Sequence, residues 1–164
     1  MAMEIERKFL LANQDWRTTA APPRHLLQGY LSSTPRCTVR VRVDGDNAWL
    51  TIKGCSDNIS RVEYEYPVPV EDARQMLRQM CATVVEKRRY LVEYAGHTWE
   101  IDEFLGDNSG LIVAEIELNS EQEKFIRPPW LGREVSGAIR YYNSHLAHTP
   151  YCDWSAAEKQ GQLP

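Results

Sequence analysis

The chain has no cysteine pair at CxxC spacing: Cys37, Cys55, Cys81 and Cys152 stand far apart. That spacing argues against a structural zinc site or a thioredoxin-like motif, and a domain of 164 residues needs no disulfide staple. Histidine is as sparse. Of His25, His97, His145 and His148, only the last two are close enough in sequence to share a metal, and two surface histidines near a helix end are the simpler reading. No apolar run approaches the roughly 18 residues of a spanning helix, and acids from residue 4 onward do not fit a secretory leader. A basic excess is lacking too. The 19 Lys and Arg against 23 Asp and Glu leave a net charge of −4, without the clustered positive footprint of a nucleic-acid binder. A cytoplasmic protein, monomeric or homodimeric, with neither membrane nor nucleic acid as partner, is the expectation. Low-complexity linkers and repeats are also missing. Residues 1–150 therefore read as one domain and 151–164 as a short fraying tail.

What the sequence has is alternation. Strand-like segments run from "MEIERKFLL" (3–11) through "RHLLQGYLS" (24–32), "CTVRVRVDG" (37–45), "AWLTIKG" (48–54) and "SRVEYEYPV" (60–68). They resume in "TVVEKRRYLVEYAG" (83–96), "HTWEIDEF" (97–104) and "GLIVAEIELNSE" (110–121). Turn residues at Asp44–Asn47 and Ala95-Gly96 join neighbours as hairpins. One amphipathic helix follows Pro69, with Ala73, Met76, Leu77 and Met80 at helical spacing as its core face. From about residue 120 the pattern predicts short helices, the main one over Ser136–Leu146. About eight strands and few helices make an antiparallel barrel or a strongly curved sheet the natural architecture.

The polar faces repeat one theme. Glu4, Glu6 and Lys8 share a face of the first strand, because strand side chains alternate with period two. Arg40 and Arg42, Lys53, Arg61 with Glu63 and Glu65, Lys87 with Arg89, Glu100 with Asp102, and Glu115 with Glu117 follow the same rule. Two readings fit. Pointed outward, these charges are an ordinary solvated surface. Pointed inward, they make a charged tunnel whose acids and bases need a ligand, because unpaired buried charge is costly. A polyphosphate with divalent cations suits both sets. Arginine and lysine take phosphate oxygens, and carboxylates take hard cations.

The wording of the motifs decides between them. "EIERK", "QGYL", "VRVRVDGDNAWLTIKG", "SRVEYEYPV", "EKRRYLV", "WEIDEF", "AEIEL" and "LGREVSG" resemble, in order, the successive motifs of the CYTH family, also called triphosphate tunnel metalloenzymes. The resemblance covers about residues 3 to 147. It implies an α+β, mainly antiparallel fold: a closed eight-stranded β-barrel, the tunnel, with a few flanking helices. Ile5 and Phe9 would then pack outside the barrel, under helices.

Carried over by position, the resemblance implies metal ligands at Glu4, Glu6, Glu115 and Glu117, with Glu63 and Asp102 next in line and Glu65 and Glu100 behind them. It implies phosphate ligands at Lys8, Arg40, Arg42, Lys53, Arg61, Lys87 and Arg89. The cofactor implied is Mg²⁺ or Mn²⁺, two ions in the fullest form, and the substrate a small triphosphate. Lys87 is the choice for proton transfer or leaving-group assistance, a lysine among cations having a lowered pKa, with Glu63 and Asp102 as further catalytic candidates. Gln28 and Tyr30 are weighed as tunnel lining against packing, and Glu134 as a brace for the final helix. The short chain and the "YYNSHLA" ending look most like the compact bacterial tripolyphosphatase branch. Tripolyphosphate hydrolysis is therefore expected, ahead of a class IV adenylate cyclase and of a non-catalytic polyphosphate or nucleotide binder.

Overall fold

The computed structural model describes residues 2–55 and 59–161. Strands β1 (Ala2–Leu11), β2 (Arg24–Ser33), β3 (Cys37–Asp44), β4 (Asn47–Gly54), β5 (Ser60–Pro67), β6 (Val85–Tyr94), β7 (His97–Phe104) and β8 (Ile112–Glu117) form the expected barrel. Their order is β5-β4-β3-β2-β6-β7-β8-β1, and antiparallel pairing of β1 with β5 closes it. Closure leaves no free edge among the eight. At the β6–β7 hairpin both turn residues, Ala95 (φ 47°) and Gly96 (φ 83°), are left-handed, as a two-residue turn between twisted strands demands.

Alternation sorts the side chains onto two faces of the wall. Outside β1, β7 and β8, the buried Ile5, Phe9, Trp99, Ile101 and Ile116 pack with Trp16 and Trp130. Phe9 meets the edge of Trp99 at 5.7 Å between centroids, a favoured aromatic geometry. Phe125 packs edge-on against Phe9, and it and Trp130 belong to a segment without helix, while the 3₁₀ turn of residues 15–18 sets Trp16 against Tyr90 in the same core; the expected helices do not cover this side. Outside β3 and β4, Val41, Val43 and Ala48 receive Ala73 and Leu77 of α1 (Val70–Gln79). Met76 lies beside this cluster, but Met80 is 64 % exposed because the helix ends before it.

The third cluster closes one end of the barrel. Val85, Phe104 and Val113 continue the inward faces of β6, β7 and β8, and Val135, Tyr141, Leu146 and Trp154 pack onto them. This stopper corrects the helical reading of the last third. Its first element is a strand, β9 (Leu131–Glu134), paired to the end of β1. Four residues show too little alternation to be read, and Gly132 lies so close to β1 that a Cβ there would sit 2.8 Å from the Leu10 carbonyl oxygen. The expected Ser136–Leu146 helix is broken into a 3₁₀ turn (Ile139–Tyr141) and a one-turn α2 (Asn143–Leu146), because Tyr142 between them is extended (φ −70°, ψ 135°). Glu134 braces β9 against Arg7 of β1 rather than a helix. The expected tail is packed through residue 161. Trp154 is buried against Tyr141, and α3 (Ala156–Lys159) carries a Ser155–Glu158 capping box. Residues 162–164 of that tail lie outside the described residues. No helix among the described residues is long and apolar enough to cross a membrane.

Candidate active site in the barrel tunnel

The inner faces of the strands enclose a cavity of about 310 Å³. Glu4, Glu6 and Lys8 line it from β1, Arg40 and Arg42 from β3, Lys53 from β4, and Arg61, Glu63 and Glu65 from β5. Lys87 and Arg89 line it from β6, Glu100 from β7, and Glu115 and Glu117 from β8. The charged faces of the sequence therefore point inward. Asp102 shares the inward face of β7 but does not border the cavity: it is wholly buried against Lys87 and Arg89, where Oδ1 accepts from Arg89 Nε at 2.7 Å and Oδ2 from Lys87 Nζ at 2.6 Å.

Part of the charge is matched within the wall. Glu4 accepts from Lys53 Nζ (2.7 Å) and Arg61 Nε (2.9 Å). Burial alone would raise its pKa, but Lys53 and Arg61 together bring it down to about 2. Lys53 also faces Glu63 at 3.2 Å. Glu115 lies 3.2 Å from Lys8 and 3.5 Å from Arg89. Burial again opposes ionisation, and these cations hold the carboxyl well below its usual range. Arg89 also pairs with Glu100.

Other charge is unmatched. Among the described residues no carboxylate comes within 4.0 Å of Arg40 or Arg42, and the Nε of each is buried without a hydrogen-bond partner. Burial first, then Arg40 and Arg89, press the Arg42 pKa down to about 9. Nor does any lysine or arginine come within 4.0 Å of Glu6 or Glu117, which stand opposite each other in the β1–β8 register. Burial, then Glu115, push Glu6 up to about 8, and Glu117 rises for the same kind of reason, burial and neighbouring acids. Among the described residues no three acids converge as a ready-made metal cage. The donor chemistry nevertheless fits a hard divalent cation: carboxylate oxygens only, two of them unpaired and crowded by like charge. Lys87 is pulled the other way. Burial, helped by Arg89 and opposed by Asp102, lowers its pKa to about 7.

Tyr30 lines the cavity, whereas Gln28 is fully buried behind it and donates to Asn143 Oδ1 at 2.9 Å. Sequence reasoning missed Arg24, which lines the cavity from β2, and Gly137, Tyr142, Asn143 and Ser144 of the stopper. Gly137 and Tyr142 lie in irregular backbone, and Asn143 and Ser144 in a single helical turn too short to show a period; "LGREVSG" and "YYNSHLA" were their only traces.

Residues 2–146 match the CYTH domain. The chain is 47 % identical over 152 residues to an inorganic triphosphatase of Acetivibrio thermocellus, covering 92 % of this chain and 97 % of that one. It is 38 % identical over 149 residues to an inorganic triphosphatase of Nitrosomonas europaea, covering 88 % and 96 %. The crystal structure of an inorganic triphosphatase superimposes with a TM-score of 0.63 and 34 % identity, over 90 % of this chain and 95 % of the other. A closed barrel with acids and bases turned inward, and relatives matched along nearly their whole length, lead to one conclusion: the chain belongs to the CYTH family.

Proposed function

We propose that the protein hydrolyses inorganic tripolyphosphate to pyrophosphate and phosphate with the help of Mg²⁺ or Mn²⁺, two ions in the fullest form. The observation that carries this reading is the unmatched charge. Among the described residues, two arginines with no carboxylate within 4.0 Å and two glutamates with no lysine or arginine within 4.0 Å line one small cavity stoppered at one end. The relatives named inorganic triphosphatases support it. Arg40 and Arg42 bind phosphate oxygens, joined by Lys8, Lys53, Arg61 and Arg89, whose present partners are carboxylates the substrate would compete with. Glu6 and Glu117, with Glu4 and Glu115 beside them, hold the metal. The metal supplies charge neutralisation of the phosphates and makes water more acidic.

Water attacks the terminal phosphorus in line, the bridging P–O bond breaks, and pyrophosphate leaves. Lys87, with its pKa lowered to about 7, is the group that moves the proton between water and the departing oxygen. Asp102 has no face on the cavity and acts through Lys87 and Arg89 as a positioning residue, while Glu63 holds Lys53 in place. Four free cysteines suit the reducing cytoplasm in which this reading places the enzyme.

The test is one assay with two readouts. Tripolyphosphate or ATP is incubated with Mg²⁺, with Mn²⁺ or with chelator, and phosphate and cyclic AMP are measured. The expected result is metal-dependent phosphate from tripolyphosphate, little from ATP, and no cyclic AMP. Cyclic AMP with pyrophosphate from ATP would replace the reading with a cyclase, and tight binding without turnover would replace it with a binder.

A further inference from the structure

The amine of Lys87 has three N–H donors. One is taken by Asp102 Oδ2 at 2.6 Å and a second by Asn143 Oδ1 at 3.0 Å. Lys87 is only 1 % exposed yet borders the cavity, so a single donor remains for the tunnel. Asp102 alone would not aim it, because an amine held at one point still turns about its Cε–Nζ bond and swings on its flexible stem. Two acceptors from different elements fix the direction of the third donor. Asn143 comes from α2, which the stopper core seats through Leu146. Its own orientation is fixed in turn, since Gln28 Nε2 donates to the same Oδ1 at 2.9 Å. An oxygen set between two donors cannot be exchanged for the carboxamide NH₂, so the flip is determined.

We propose that Asn143 is a positioning residue for Lys87: the C-terminal stopper supplies the second acceptor that aims the lysine amine at the substrate. The inference rests on the proposed role of Lys87 in triphosphate hydrolysis. It extends that role to a part of the chain outside the barrel strands. A bare structural tie between stopper and barrel is the competing account, and the two differ in what they do to kcat.

The experiment compares wild type with Asn143→Ala, Asn143→Asp and Gln28→Met, following kcat, KM for tripolyphosphate, thermal stability, and the Lys87 side-chain ammonium signal in ¹⁵N-lysine-labelled protein. Asn143→Ala is expected to lower kcat by about tenfold or more, with KM within about twofold, as misaimed catalytic groups do. The Lys87 ammonium signal is expected to broaden or vanish, since fast exchange with water follows loss of an acceptor. Asn143→Asp keeps an acceptor and is expected to recover most of the rate. Gln28→Met frees the flip and is expected to give a smaller loss of the same kind. An unchanged kcat, a loss that tracks KM and melting temperature together, or an Asp variant no better than Ala would overturn the proposal. If wild type itself released no phosphate, the functional reading would fall instead. The ammonium signal would still judge the Lys87–Asn143 contact: its persistence in Asn143→Ala sinks the positioning claim. Should Asn143→Ala not fold, Gln28→Met and Asn143→Asp decide through the same measurements.

Discussion

Two sets of four ionisable side chains on the tunnel wall behave differently. Where β1 meets β4 and β5, Glu4, Lys53, Arg61 and Glu63 neutralise one another at 2.7–3.2 Å. On β3, no carboxylate among the described residues lies within 4.0 Å of Arg40 or Arg42, and Arg40 donates to Thr51 Oγ1, a neutral acceptor, at 3.2 Å. Glu6 and Glu117 are the acidic counterpart, paired in register but not by charge. A buried pair is a settled arrangement in which removing one partner strands the other. A group without an ion-pair partner is an incomplete arrangement that a ligand relieves: the buried Arg40 is held at a cost, Glu6 is driven toward keeping its proton, and Glu117, exposed at its strand end, is crowded by neighbouring acids. The difference indicates where an anion and a cation would enter, and which residues are already committed to partners within the wall.

The largest effect should come from the unpaired acids. Glu6→Gln is expected to reduce metal-dependent turnover by about a hundredfold or more, as loss of a metal ligand does. The melting temperature in chelator should not fall, because among the described residues no lysine or arginine lies within 4.0 Å of this side chain and burial opposes its ionisation. Normal turnover would break the comparison at its acidic end, and a metal-free variant that unfolds would show that Glu6 was structural after all.

The basic end is tested by affinity. Arg42→Ala is expected to weaken binding of tripolyphosphate in chelator by about tenfold to a hundredfold, the range of one or two hydrogen bonds to a charged group. Arg61→Ala should weaken it by only about threefold, since Arg61 already faces Glu4 at 2.9 Å and its removal releases that carboxylate into the tunnel. Calorimetric titration of the two variants makes the measurement. Equal losses would mean that pairing within the wall says nothing about which residues bind substrate.

Much of this contrast was legible beforehand. Alternation in "EIERK", "VRVRV" and "AEIEL" placed the charges on common faces, and the family resemblance turned those faces inward. Period two gives direction but not depth. Asp102 and Glu100 therefore looked alike, although Asp102 is wholly buried against Lys87 and Arg89 and Glu100 borders the cavity. The stopper was not legible. β9 is four residues long, Tyr142 interrupts the helical pattern, and the burial of Trp154 depends on contacts with Tyr141 and Tyr151, made only once the barrel end exists. Asn143 stayed hidden for the same reason, as its partners Gln28 and Lys87 are distant in sequence.

The smallest effect separates tunnel pairing from pairing at the surface. Arg7 and Glu134 tie β1 to β9 with hydrogen bonds of 2.8 and 2.6 Å, but both side chains remain about a third exposed. The Arg7 hydrogen bond, with Ser136 adding to it, lowers the Glu134 pKa below its ordinary 4.5. A carboxyl lowered by folding contributes stability in full above the unfolded value. That contribution is lost as pH falls through the lower, folded value. Solvent screening keeps it small, below about 1 kcal/mol. Glu134→Gln should therefore lower the urea midpoint slightly at pH 7, and the gap from wild type should close as the pH falls below 4.5. A gap that persists in acid would mean that Glu134 braces β9 by shape and neutral hydrogen bonding, so that the charge of this surface pair, unlike the tunnel's, does nothing.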